Sequence, residues 1–408
     1  MDIKIYPSEI GGKIQAQPSK SFLNRALVCA ALCDERTVMK NVSLSGDVLT
    51  MLDCIRALGA QWSLSADGTL VVLPGLKRSA HCVINCRESG TALRFLLACA
   101  PLFSDVCTVK IHQSLAKRPV AALISELERH GVKISISSDS LSYTLSGVPE
   151  SGEYILPGDI SSQFASALML ALPGLPGDSV ISLSGQVFSS RYIKMTAGVL
   201  GMFGVSEEVY DNKIVVGGNR KFISPSVLAV PGDWSNAAPF SAMGKLFSDS
   251  VEITGIEKDG MQGDEKAEEM LDFIYNSPSP QELDISQNPD LAPVLAAFAA
   301  ACGSTTRLIN AHALRYKESD RLDGIVSLIC ELGGEAEESG GVISITGGKR
   351  LEGGTVDSRG DHRMAMAAAV ASCACSGAVT IKNAQAVEKS YPSFWEDFKA
   401  LGGKFDVI

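Results

Sequence analysis

The chain alternates short apolar runs with longer stretches in which Ala and Leu recur at helical spacing. Runs of three to five aliphatic or β-branched residues predict strands at residues 70–73, 132–136, 214–216 and 342–345. The two longest apolar stretches, residues 291–302 and 364–375, are rich in Ala and too short to span a bilayer. We interpret them as buried helices. The whole pattern predicts an α/β or α+β fold.

One kind of helix start recurs along the chain: a small or acidic polar cluster followed directly by an apolar helical run. The copies are spaced by 56 to 74 residues, and the length of 408 residues divided by six gives 68. They are Pro18-Ser19-Lys20-Ser21, Glu88-Ser89-Gly90-Thr91, Gly158-Asp159-Ile160-Ser161-Ser162, Gly232-Asp233-Trp234-Ser235-Asn236, Asn288-Pro289-Asp290 and Arg359-Gly360-Asp361-His362. We interpret them as six copies of a βαβ-containing unit with a capped helix. Chance spacing of ordinary caps is the alternative.

Composition excludes several classes of protein. The chain has 46 acidic and 36 basic residues, a net charge of −10 and no basic run, which argues against nucleic acid or an anionic membrane as a partner. Its start shows no secretory signal. Eleven cysteines among apolar neighbours indicate reduced thiols and a cytoplasmic location. His81, Cys82 and Cys86 lack the spacing of paired metal ligands, so we expect no metal site.

Helix N-termini give an acidic protein a way to bind anions, because they present free N–H groups and a partial positive charge. Lys20 and Arg25 follow the first helix start and suit phosphate or carboxylate. Ser161, Ser162 and Gln163 supply hydroxyl and amide groups at the third start. Plain capped helices, without any ligand, would have the same appearance.

The densest polar run is Leu314-Arg315-Tyr316-Lys317-Glu318-Ser319-Asp320-Arg321-Leu322. On a helix, Lys317 and Arg321 would share one face, with Glu318 offset by about 100°. Asp361-His362-Arg363 likewise sets ionisable groups at the start of an apolar helix, where charge is costly unless it meets solvent or a ligand. A surface ladder of ion pairs is the alternative reading of the first run.

These motifs together resemble the 5-enolpyruvylshikimate-3-phosphate synthase family of enolpyruvyl transferases. The resemblance rests on S-K-S-x-x-N-R-A, S-G-T-A-L-R, K-R-P, S-S-Q-F, K-E-S-D-R-L and D-H-R-M-A-M in this order, between Lys20 and Lys389. It implies a two-domain inside-out α/β barrel of six βαβαββ repeats, three per domain. We expect one lobe at residues 19–227, the other at 1–18 with 228–408, and the active site in the interdomain cleft.

The resemblance also implies the reaction. The carboxyvinyl group of phosphoenolpyruvate would pass to the 5-hydroxyl of shikimate 3-phosphate by addition and elimination through a tetrahedral intermediate, releasing phosphate. This step belongs to chorismate and aromatic amino-acid biosynthesis. The family implies no metal, no organic cofactor, a monomeric state, no nucleic-acid or membrane partner, and glyphosate as a candidate inhibitor.

The family's binding residues carry over to named positions of this chain. Shikimate 3-phosphate would be bound by Lys20, Ser21, Arg25, Ser161, Ser162, Gln163, Ser189, Asp290 and Lys317. Its phosphate would meet the three serine hydroxyls, with Lys317 as the counter-charge. Phosphoenolpyruvate would be bound by Lys20, Gly90, Arg118, Gln163, Arg321, Arg363 and Lys389.

The family's catalytic residues carry over in the same way. Asp290 would take the proton from the 5-hydroxyl, and Glu318 would donate a proton to the methylene carbon and later recover it. Neighbouring cations favour a charged carboxylate, so burial or a lysine relay would have to aid this protonation. Lys20 and Lys389 are the candidate participants. His362 would either hydrogen-bond the reacting group or orient Glu318.

Three positions depart from the family pattern. Arg87-Glu88 stands where many members have Gly-Asn, which puts the local phosphate contact in question. Ala313 stands where some members carry a substrate-touching Asn. Tyr192 matches the tyrosine expected near the shikimate ring, but Ser190-Arg191 precedes it in place of Lys-Pro.

Two other functions stay open at this point. The related transferase acting on UDP-N-acetylglucosamine carries a reactive Cys in a mobile loop, whereas the corresponding residues 113–117 contain no Cys. A non-catalytic repeat protein that binds an anionic metabolite would keep the Ser and Arg positions. Such a protein would have no use for the acids Asp290 and Glu318.

Overall fold

The computed structural model describes residues 1–75, 78–276 and 280–408, and these form a mixed α/β structure. The strands are β1 Ile3–Tyr6, β2 Gly12–Gln15, β3 Thr37–Lys40, β4 Gln61–Leu64, β5 Leu70–Leu73, β6 Ser79–Asn85, β7 Ser104–Lys110, β8 Lys133–Ile136, β9 Ser142–Ser146, β10 Glu153–Pro157, β11 Ser179–Ser184, β12 Glu207–Val209, β13 Lys213–Val216, β14 Val227–Ala229, β15 Val251–Thr254, β16 Gln281–Asp284, β17 Thr306–Ile309, β18 Glu335–Ser339, β19 Val342–Thr346, β20 Gly354–Asp357, β21 Val379–Lys382 and β22 Lys404–Val407.

The helices occupy the longer apolar stretches between these strands. They are α1 Lys20–Leu32, α2 Gly46–Ala57, α3 Gly90–Phe103, α4 Ala121–Arg129, α5 Ser162–Ala171, α6 Ser190–Met202, α7 Trp234–Leu246, α8 Ala267–Asn276, α9 Ala292–Cys302, α10 Arg321–Glu331, α11 His362–Ser372 and α12 Phe394–Ala400. Short 3₁₀ segments lie at Leu172–Gly174, Gly263–Lys266, His312–Tyr316 and Ala384–Lys389.

The chain divides into two compact units. The central unit is Pro18–Pro231, and the terminal unit combines Met1–Gln17 with Gly232–Ile408. These boundaries differ from the expected lobes, because Pro18 and residues 228–231 belong to the central unit and not to the terminal one. The reason is that β14 pairs in parallel with β3, and the Asn41 amide donates to the Val230 carbonyl at 2.7 Å.

Five sheets share one topology, in which a parallel pair of strands is followed by two antiparallel neighbours. Their strand orders are β14-β3-β5-β4, β6-β7-β9-β8 and β10-β11-β13-β12 in the central unit, and β16-β17-β19-β18 and β20-β21-β1-β22 in the terminal unit. A sixth sheet pairs β15 with β2 in parallel. The predicted α/β class, with six repeats, is therefore confirmed.

The first two strands, β1 and β2, lie in different sheets. The helices α3, α5, α9 and α11 each connect two parallel neighbouring strands. This connection is required because parallel strands need a crossover that a tight turn cannot supply.

Side-chain caps begin five of the six predicted helices. Ser19, Ser89, Ser161, Asp233 and Asp361 are the N-caps of α1, α3, α5, α7 and α11, and each side chain accepts a backbone N–H of the first turn. The sixth prediction is wrong: the N-cap of α9 is Leu291, and no side chain caps it. The Asp290 carboxylate binds two cations instead, as described below.

The two Ala-rich stretches form buried helices, as predicted. Every residue of α11 is buried, and so is α9 from Ala292 to Ala300. A helix that is apolar on all sides is stable only when other elements cover it completely. Within the described parts of the chain, none of the helices has the length and hydropathy to cross a membrane.

Glu207, at the start of the edge strand β12, is a buried carboxyl outside the predicted site. Both carboxyl oxygens are buried and have no hydrogen-bond partner among the described residues. Burial raises the pKa of Glu207 from 4.5 to about 9. The folded chain therefore keeps a proton that the unfolded chain releases, so this group lowers stability as pH rises from about 4.5 towards 9.

We predict that Glu207→Gln removes this alkaline loss of stability. Near about pH 8 the variant should unfold with a free energy more than about 1.4 kcal/mol above that of the parent chain, since each pKa unit corresponds to about that amount. Near about pH 4 the two should differ little, because the carboxyl is then neutral in both states. Urea unfolding followed by circular dichroism measures both values.

Glu208→Gln is the matched control. Glu208 is exposed and accepts a hydrogen bond from the Tyr210 hydroxyl at 2.8 Å. Its substitution should leave the pH profile of stability nearly unchanged. Parallel profiles for Glu207→Gln and the parent chain would show that the Glu207 carboxyl is ionised in the folded state.

Candidate functional site

The first helix of the central unit presents Lys20 and Ser21 as its first two residues. The Lys20 Nζ lies 2.9 Å from Oδ2 of Asp47, an acid in the first turn of α2, and both side chains are largely buried. The ion pair fixes the direction of the lysine side chain. Sequence reasoning missed Asp47, because 27 residues separate the partners and no motif links them.

Arg25, on the same helix, is held rigidly in the central unit. Its Nε donates to the Thr196 hydroxyl at 2.8 Å, and its Nη1 donates to the Ser21 carbonyl at 2.7 Å. Its Nη2 reaches the Ser166 hydroxyl and the Tyr192 carbonyl, each at 3.3 Å. Burial lowers the pKa of Arg25 to about 10. These partners are neutral, so they position the guanidinium without cancelling its charge.

Polar side chains near the starts of α3 and α5 hydrogen-bond each other. Gln163 accepts from Arg94 Nη1 at 2.6 Å and donates to the Thr91 hydroxyl at 3.1 Å. Arg94 Nη2 also donates to the Pro119 carbonyl at 3.0 Å. A Cβ at Gly90 would lie 2.6 Å from Nη1 of Arg118, so only glycine lets this guanidinium approach the backbone.

Three serines lie at the starts of α5 and α6, which follow the neighbouring parallel strands β10 and β11. Ser161 caps α5 and Ser162 is its first residue, while Ser189 precedes α6. The connecting loops are joined by a hydrogen bond from Phe188 N to the Gly158 carbonyl at 2.9 Å. Ser189 has a left-handed backbone, with φ 54°, and its side chain makes no capping bond. Such strain in a non-glycine residue is typical of ligand sites.

In the terminal unit, Arg321 is the first residue of α10, and its side chain is almost fully buried. Its Nε lies 2.8 Å from Asp361 Oδ2, and its Nη2 lies 2.8 Å from Glu318 Oε2. Its Nη1 lies 2.8 Å from Asp290 Oδ1. Burial opposes the charged form, but these three carboxylates raise the pKa of Arg321 above its usual range. Three separate segments therefore meet at one guanidinium.

Asp290 has a second cationic partner. Lys317 Nζ donates at 3.2 Å to the same Oδ1 atom that Arg321 binds. Burial would raise the pKa of Asp290, but the charges of Lys317, Arg321 and Arg363 hold it well below its usual range. Asp290 is therefore a carboxylate at neutral pH, and it can accept hydrogen bonds.

The segment that carries Lys317 is not a helix. A 3₁₀ segment ends at Tyr316, and α10 begins at Arg321 with Asp320 as its cap. Lys317 and Arg321 converge because a turn brings both to Asp290, not because they share a helix face. A surface ion-pair ladder does exist here, but it consists of the exposed Arg315 with Asp320 and Glu338, at 2.8 and 2.9 Å.

A series of hydrogen bonds fixes Arg363, which lies in the first turn of α11. The sequence pattern did not predict these hydrogen bonds. The Arg363 Nη1 donates to the Ser235 carbonyl at 2.6 Å, and the Ser235 hydroxyl donates to the buried Asp264. Asn288 donates to the other oxygen of Asp264 at 3.0 Å. Burial, together with the charge of Asp290, raises the pKa of Asp264. The Arg363 Nε is buried without a hydrogen-bond partner in the described chain.

His362 and Lys389 complete the predicted residues of the terminal unit. His362 is the buried first residue of α11, with Nδ1 at 3.8 Å from Asp361 Oδ1, too far for a hydrogen bond. Lys389 ends a 3₁₀ segment and is partly buried. Its neighbour Ser390 is tied to Asn236 of α7, whose amide donates to the Ser390 carbonyl at 3.2 Å.

The structure also shows what the three departing positions do. Arg87 has a left-handed backbone, with φ 46°, which explains why glycine suits this position, and its guanidinium pairs with Asp53 at 2.7 Å. Glu88 accepts the Ser114 hydroxyl at 2.9 Å. Ala313 is buried in a 3₁₀ segment. The Tyr192 ring centroid lies 5.8 Å from the Arg25 guanidinium carbon.

Each unit thus holds part of the predicted set. The central unit groups cations and hydroxyls at helix starts, which suits anions. The terminal unit places two acids, Asp290 and Glu318, against one buried arginine, which suits proton transfer beside an anion. In the described residues, no group of three or more His, Cys, Asp or Glu side chains is arranged to hold a metal ion. Fold and side chains together define an α/β repeat protein in which one unit groups cations and hydroxyls at helix starts and the other groups carboxylates around a buried arginine.

Comparison with known proteins identifies the family. The model of the family described as EPSP synthase (3-phosphoshikimate 1-carboxyvinyltransferase) matches residues 5–398. The chain is 35% identical over 416 residues to a 3-phosphoshikimate 1-carboxyvinyltransferase from Clostridium perfringens, covering 98% of each. It is 34% identical over 426 residues to one from Clostridium kluyveri, covering 99% of this chain and 98% of that protein. The chain belongs to the EPSP synthase family and is a transferase.

Solved structures show the same fold at lower identity. EPSP synthase from Acinetobacter baumannii superposes with a TM-score of 0.79 and 23% identity, covering 100% of both chains. The enolpyruvyl transferase NikO from Streptomyces tendae superposes with a TM-score of 0.80 and 17% identity, covering 99% of this chain and 98% of that one. The fold is therefore shared across enolpyruvyl transferases whose sequences have diverged widely.

We predict that Asp361→Ala destabilises the terminal unit strongly. The substitution removes the α11 cap and the Nε partner of buried Arg321, and it also removes the acceptor of the Ser319 hydroxyl at 3.1 Å. Removing one partner of a buried ion pair costs about 3 to 5 kcal/mol, because the other charge stays buried. Urea unfolding of the parent and the variant gives the difference.

Asp320→Ala is the control, because Asp320 is also an N-cap and also pairs with an arginine, but an exposed one. Its substitution should cost about 1 kcal/mol, the usual value of a lost cap. If the two substitutions cost the same, the buried contact of Asp361 with Arg321 contributes nothing beyond capping.

Proposed function

We propose that the protein transfers the carboxyvinyl group of phosphoenolpyruvate to the 5-hydroxyl of shikimate 3-phosphate and releases phosphate. The observation that carries the proposal is that Asp290 and Glu318 bind one buried guanidinium, that of Arg321, at 2.8 Å each. Acids held in this way have fixed positions, as general acid–base chemistry requires. The family relatives, which are named for this reaction, support the same assignment.

The substrate shikimate 3-phosphate is assigned to residues of both units. In the central unit, Ser161, Ser162 and Ser189 would donate hydroxyl bonds to its phosphate, supported by their places at the starts of α5 and α6. The further assigned residues are Lys20, Ser21, Arg25 and Gln163 in the central unit and Asp290 and Lys317 in the terminal unit. The neutral partners of Arg25 support its role, since its charge stays available to an anion.

Phosphoenolpyruvate is assigned to a second set of cations. In the central unit these are Lys20 and Arg118, together with Gly90 and Gln163, and the close approach of Arg118 to the Gly90 backbone supports the assignment of those two residues. In the terminal unit they are Arg321, Arg363 and Lys389. The buried Nε–H of Arg363 supports its role, because a ligand oxygen would supply an acceptor. Arg321 already has three carboxylate partners, so binding an anion there requires an exchange of partners.

The reaction proceeds in two stages, an addition with one proton gained and one lost, and an elimination with one proton lost. In the addition stage, C3 of phosphoenolpyruvate gains a proton, the 5-hydroxyl oxygen bonds to C2, and that hydroxyl loses its proton. In the elimination stage, the bond from C2 to the phosphate oxygen breaks and the new methyl group loses a proton. Phosphate leaves with the electron pair of the broken bond, and the double bond re-forms.

The two acids divide the proton transfers between them. Asp290 is ionised, so it can take the proton of the 5-hydroxyl, with Lys317 beside it to balance the charge. Glu318 is assigned to C3, first donating and then recovering a proton, with Lys20 and Lys389 as the lysines through which it can exchange. His362 is assigned to orient the reacting group or Glu318. The reaction needs only proton transfer and charge stabilisation.

We predict that mixing the purified protein with shikimate 3-phosphate and phosphoenolpyruvate releases inorganic phosphate, in an amount equal to the enolpyruvyl product formed. A coupled phosphate assay and mass spectrometry of the product measure the two quantities. Each substrate alone should release no phosphate, because the transfer needs both.

The same assay separates the alternatives. Replacing shikimate 3-phosphate by UDP-N-acetylglucosamine should abolish phosphate release, and release with that acceptor would instead favour the cell-wall reaction. Titration calorimetry with shikimate 3-phosphate reports binding independently of turnover. Binding without release of phosphate would mean that the protein is an anion-binding module and not an enzyme of this reaction.

We predict that Glu318→Gln lowers kcat by about 100-fold or more, since a positioned general acid or base contributes about 10² to 10⁴. The KM for either substrate should change much less, because the amide keeps the size and the hydrogen-bonding ability of the carboxylate. Steady-state kinetics of phosphate release give both constants.

Glu338→Gln serves as the control, because Glu338 also pairs with an arginine, the exposed Arg315, at 2.9 Å. This variant should keep the kinetic constants of the parent chain. A similar loss in kcat and in substrate binding for Glu318→Gln would indicate that Glu318 only holds Arg321 in place.

A further inference from the structure

The central unit contains a pair of thiols on adjacent strands, away from the residues assigned above. Cys82 lies on β6 and Cys107 on β7, and the two strands pair in parallel with these residues directly opposite each other. Both side chains face the core, with 6% and 0% of each residue exposed. None of the eleven cysteines in the described chain forms a disulfide. The pair is therefore reduced and set in register by the sheet.

The register gives the pair a geometry that a disulfide can use. Directly paired residues of parallel strands project to the same face, and neighbouring strands lie about 4.8 Å apart. This spacing falls within the range of about 4.4 to 6.8 Å between Cα atoms that disulfides span. Each thiol is the largest influence on the pKa of the other, so the two sulfurs lie close together.

One thiol of the pair is chemically favoured as the nucleophile. The contact with Cys107 lowers the pKa of Cys82 despite its burial. The same contact and burial raise the pKa of Cys107. The thiolate is the reactive form of cysteine. Cys82 is thus the attacking sulfur and Cys107 the resolving one.

The position of the strand gives a small oxidant a route to Cys82. The sheet order is β6-β7-β9-β8, so β6 is an edge strand with one hydrogen-bonded neighbour. Opening of an edge strand breaks one ladder, and such local openings cost less than unfolding of the domain. The 6% exposure of Cys82 is therefore a lower limit on its access to solvent.

A second thiol pair nearby is less suited to oxidation. Cys54, on α2, donates to the Asn85 carbonyl at 3.4 Å, and it lies near the Cys86 thiol. The contact with Cys54, together with burial, raises the pKa of Cys86 well above its usual value. Cys54 and Cys86 are almost fully buried, at 1% and 0% exposure. The Cys86 thiol therefore stays protonated, and both thiols are shielded from solvent.

We propose that Cys82 and Cys107 form a redox modification site, at which hydrogen peroxide converts the two thiols into a disulfide that joins β6 to β7. The Cys82 thiolate attacks one peroxide oxygen, which breaks the O–O bond and gives a sulfenic acid and hydroxide. The Cys107 sulfur then attacks the sulfenic sulfur, and the S–S bond forms as the hydroxyl group leaves. Two thiols and one peroxide give one disulfide and two waters, and a thiol reductant reverses the change.

This site is independent of the proposed function, since neither cysteine is assigned to a substrate. It has a structural link to that function, because β6 leads to Gly90 and β7 leads to the segment that carries Arg118. A covalent bond between the two strands would restrict their separation. The modification therefore acts on the scaffold of the central unit.

The test treats the full-length protein with hydrogen peroxide and then blocks the remaining thiols under denaturing conditions. Tryptic cleavage places Cys82 in residues 79–87, with Cys86, and Cys107 in residues 95–110, with Cys99. Mass spectrometry should find these two peptides joined and lighter by two hydrogens than their sum. Fragmentation of the joined peptide in the parent protein should assign the bond to Cys82 and Cys107, and dithiothreitol should remove it.

Four single Cys→Ala variants test which two sulfurs form the disulfide bond. Cys82→Ala and Cys107→Ala should each lower the yield of the joined peptide at least about tenfold, because each removes one of the two sulfurs that form the bond. Cys86→Ala and Cys99→Ala, which alter the same two peptides, should retain it. The exposed Cys330 reports the extent of oxidation in every sample.

Three outcomes would overturn the proposal. The first is oxidation at Cys330 with no joined peptide in the parent protein. The second is a bond that fragmentation assigns to Cys86 or Cys99. The third is a Cys54–Cys86 bond that forms in preference. Fragmentation of the parent protein decides among them even if a variant fails to fold.

Discussion

The buried guanidinium of Arg321 is the contact on which the terminal unit's candidate site depends. Burying a charge is costly unless opposite charges surround it, and here Asp290, Glu318 and Asp361 do so. The three acids come from the loop before α9, the turn before α10 and the start of α11. Because one arginine binds all three, these segments cannot move independently. The positions of both candidate catalytic acids follow from this constraint.

In the central unit, neutral acceptors hold two arginines, so the positive charge of these side chains stays available for anions. Arg25 is held by two hydroxyls and two backbone carbonyls, and Arg94 contacts an amide oxygen and a carbonyl. Neutral acceptors fix the direction of a guanidinium while leaving its net charge in place. Lys20 is the exception in the central unit, because it pairs with Asp47, whereas in the terminal unit carboxylates hold both Lys317 and Arg321. This difference agrees with the assignment of phosphate binding mainly to one unit and of proton transfer to the other.

The sixfold repeat explains why these residues occur at helix starts. A βαβ unit places its helix N-terminus at the carboxyl end of a strand, and the cap must be polar for the first N–H groups to be satisfied. Ser161 satisfies this need while lying beside Ser162, and Asp361 does so while binding Arg321. Caps and candidate site residues therefore coincide, and one helix start serves both stability and chemistry. The exception is Asp290, which leaves α9 uncapped by a side chain and pairs with cations instead.

The sequence by itself determined the α/β class, the six repeats, five of the helix caps and the buried Ala-rich helices, because these depend on residues close together along the chain. The motifs also indicated the family, since their order is specific even where each is short. Only the tertiary structure decided the partners of the charged groups: Asp47 for Lys20, Asp264 behind Arg363, and the convergence of Lys317 with Arg321 on Asp290. Such partners lie tens of residues apart, so their pairing depends on how whole strands and helices pack. For the same reason, eleven scattered cysteines showed no pattern until two strands set Cys82 beside Cys107.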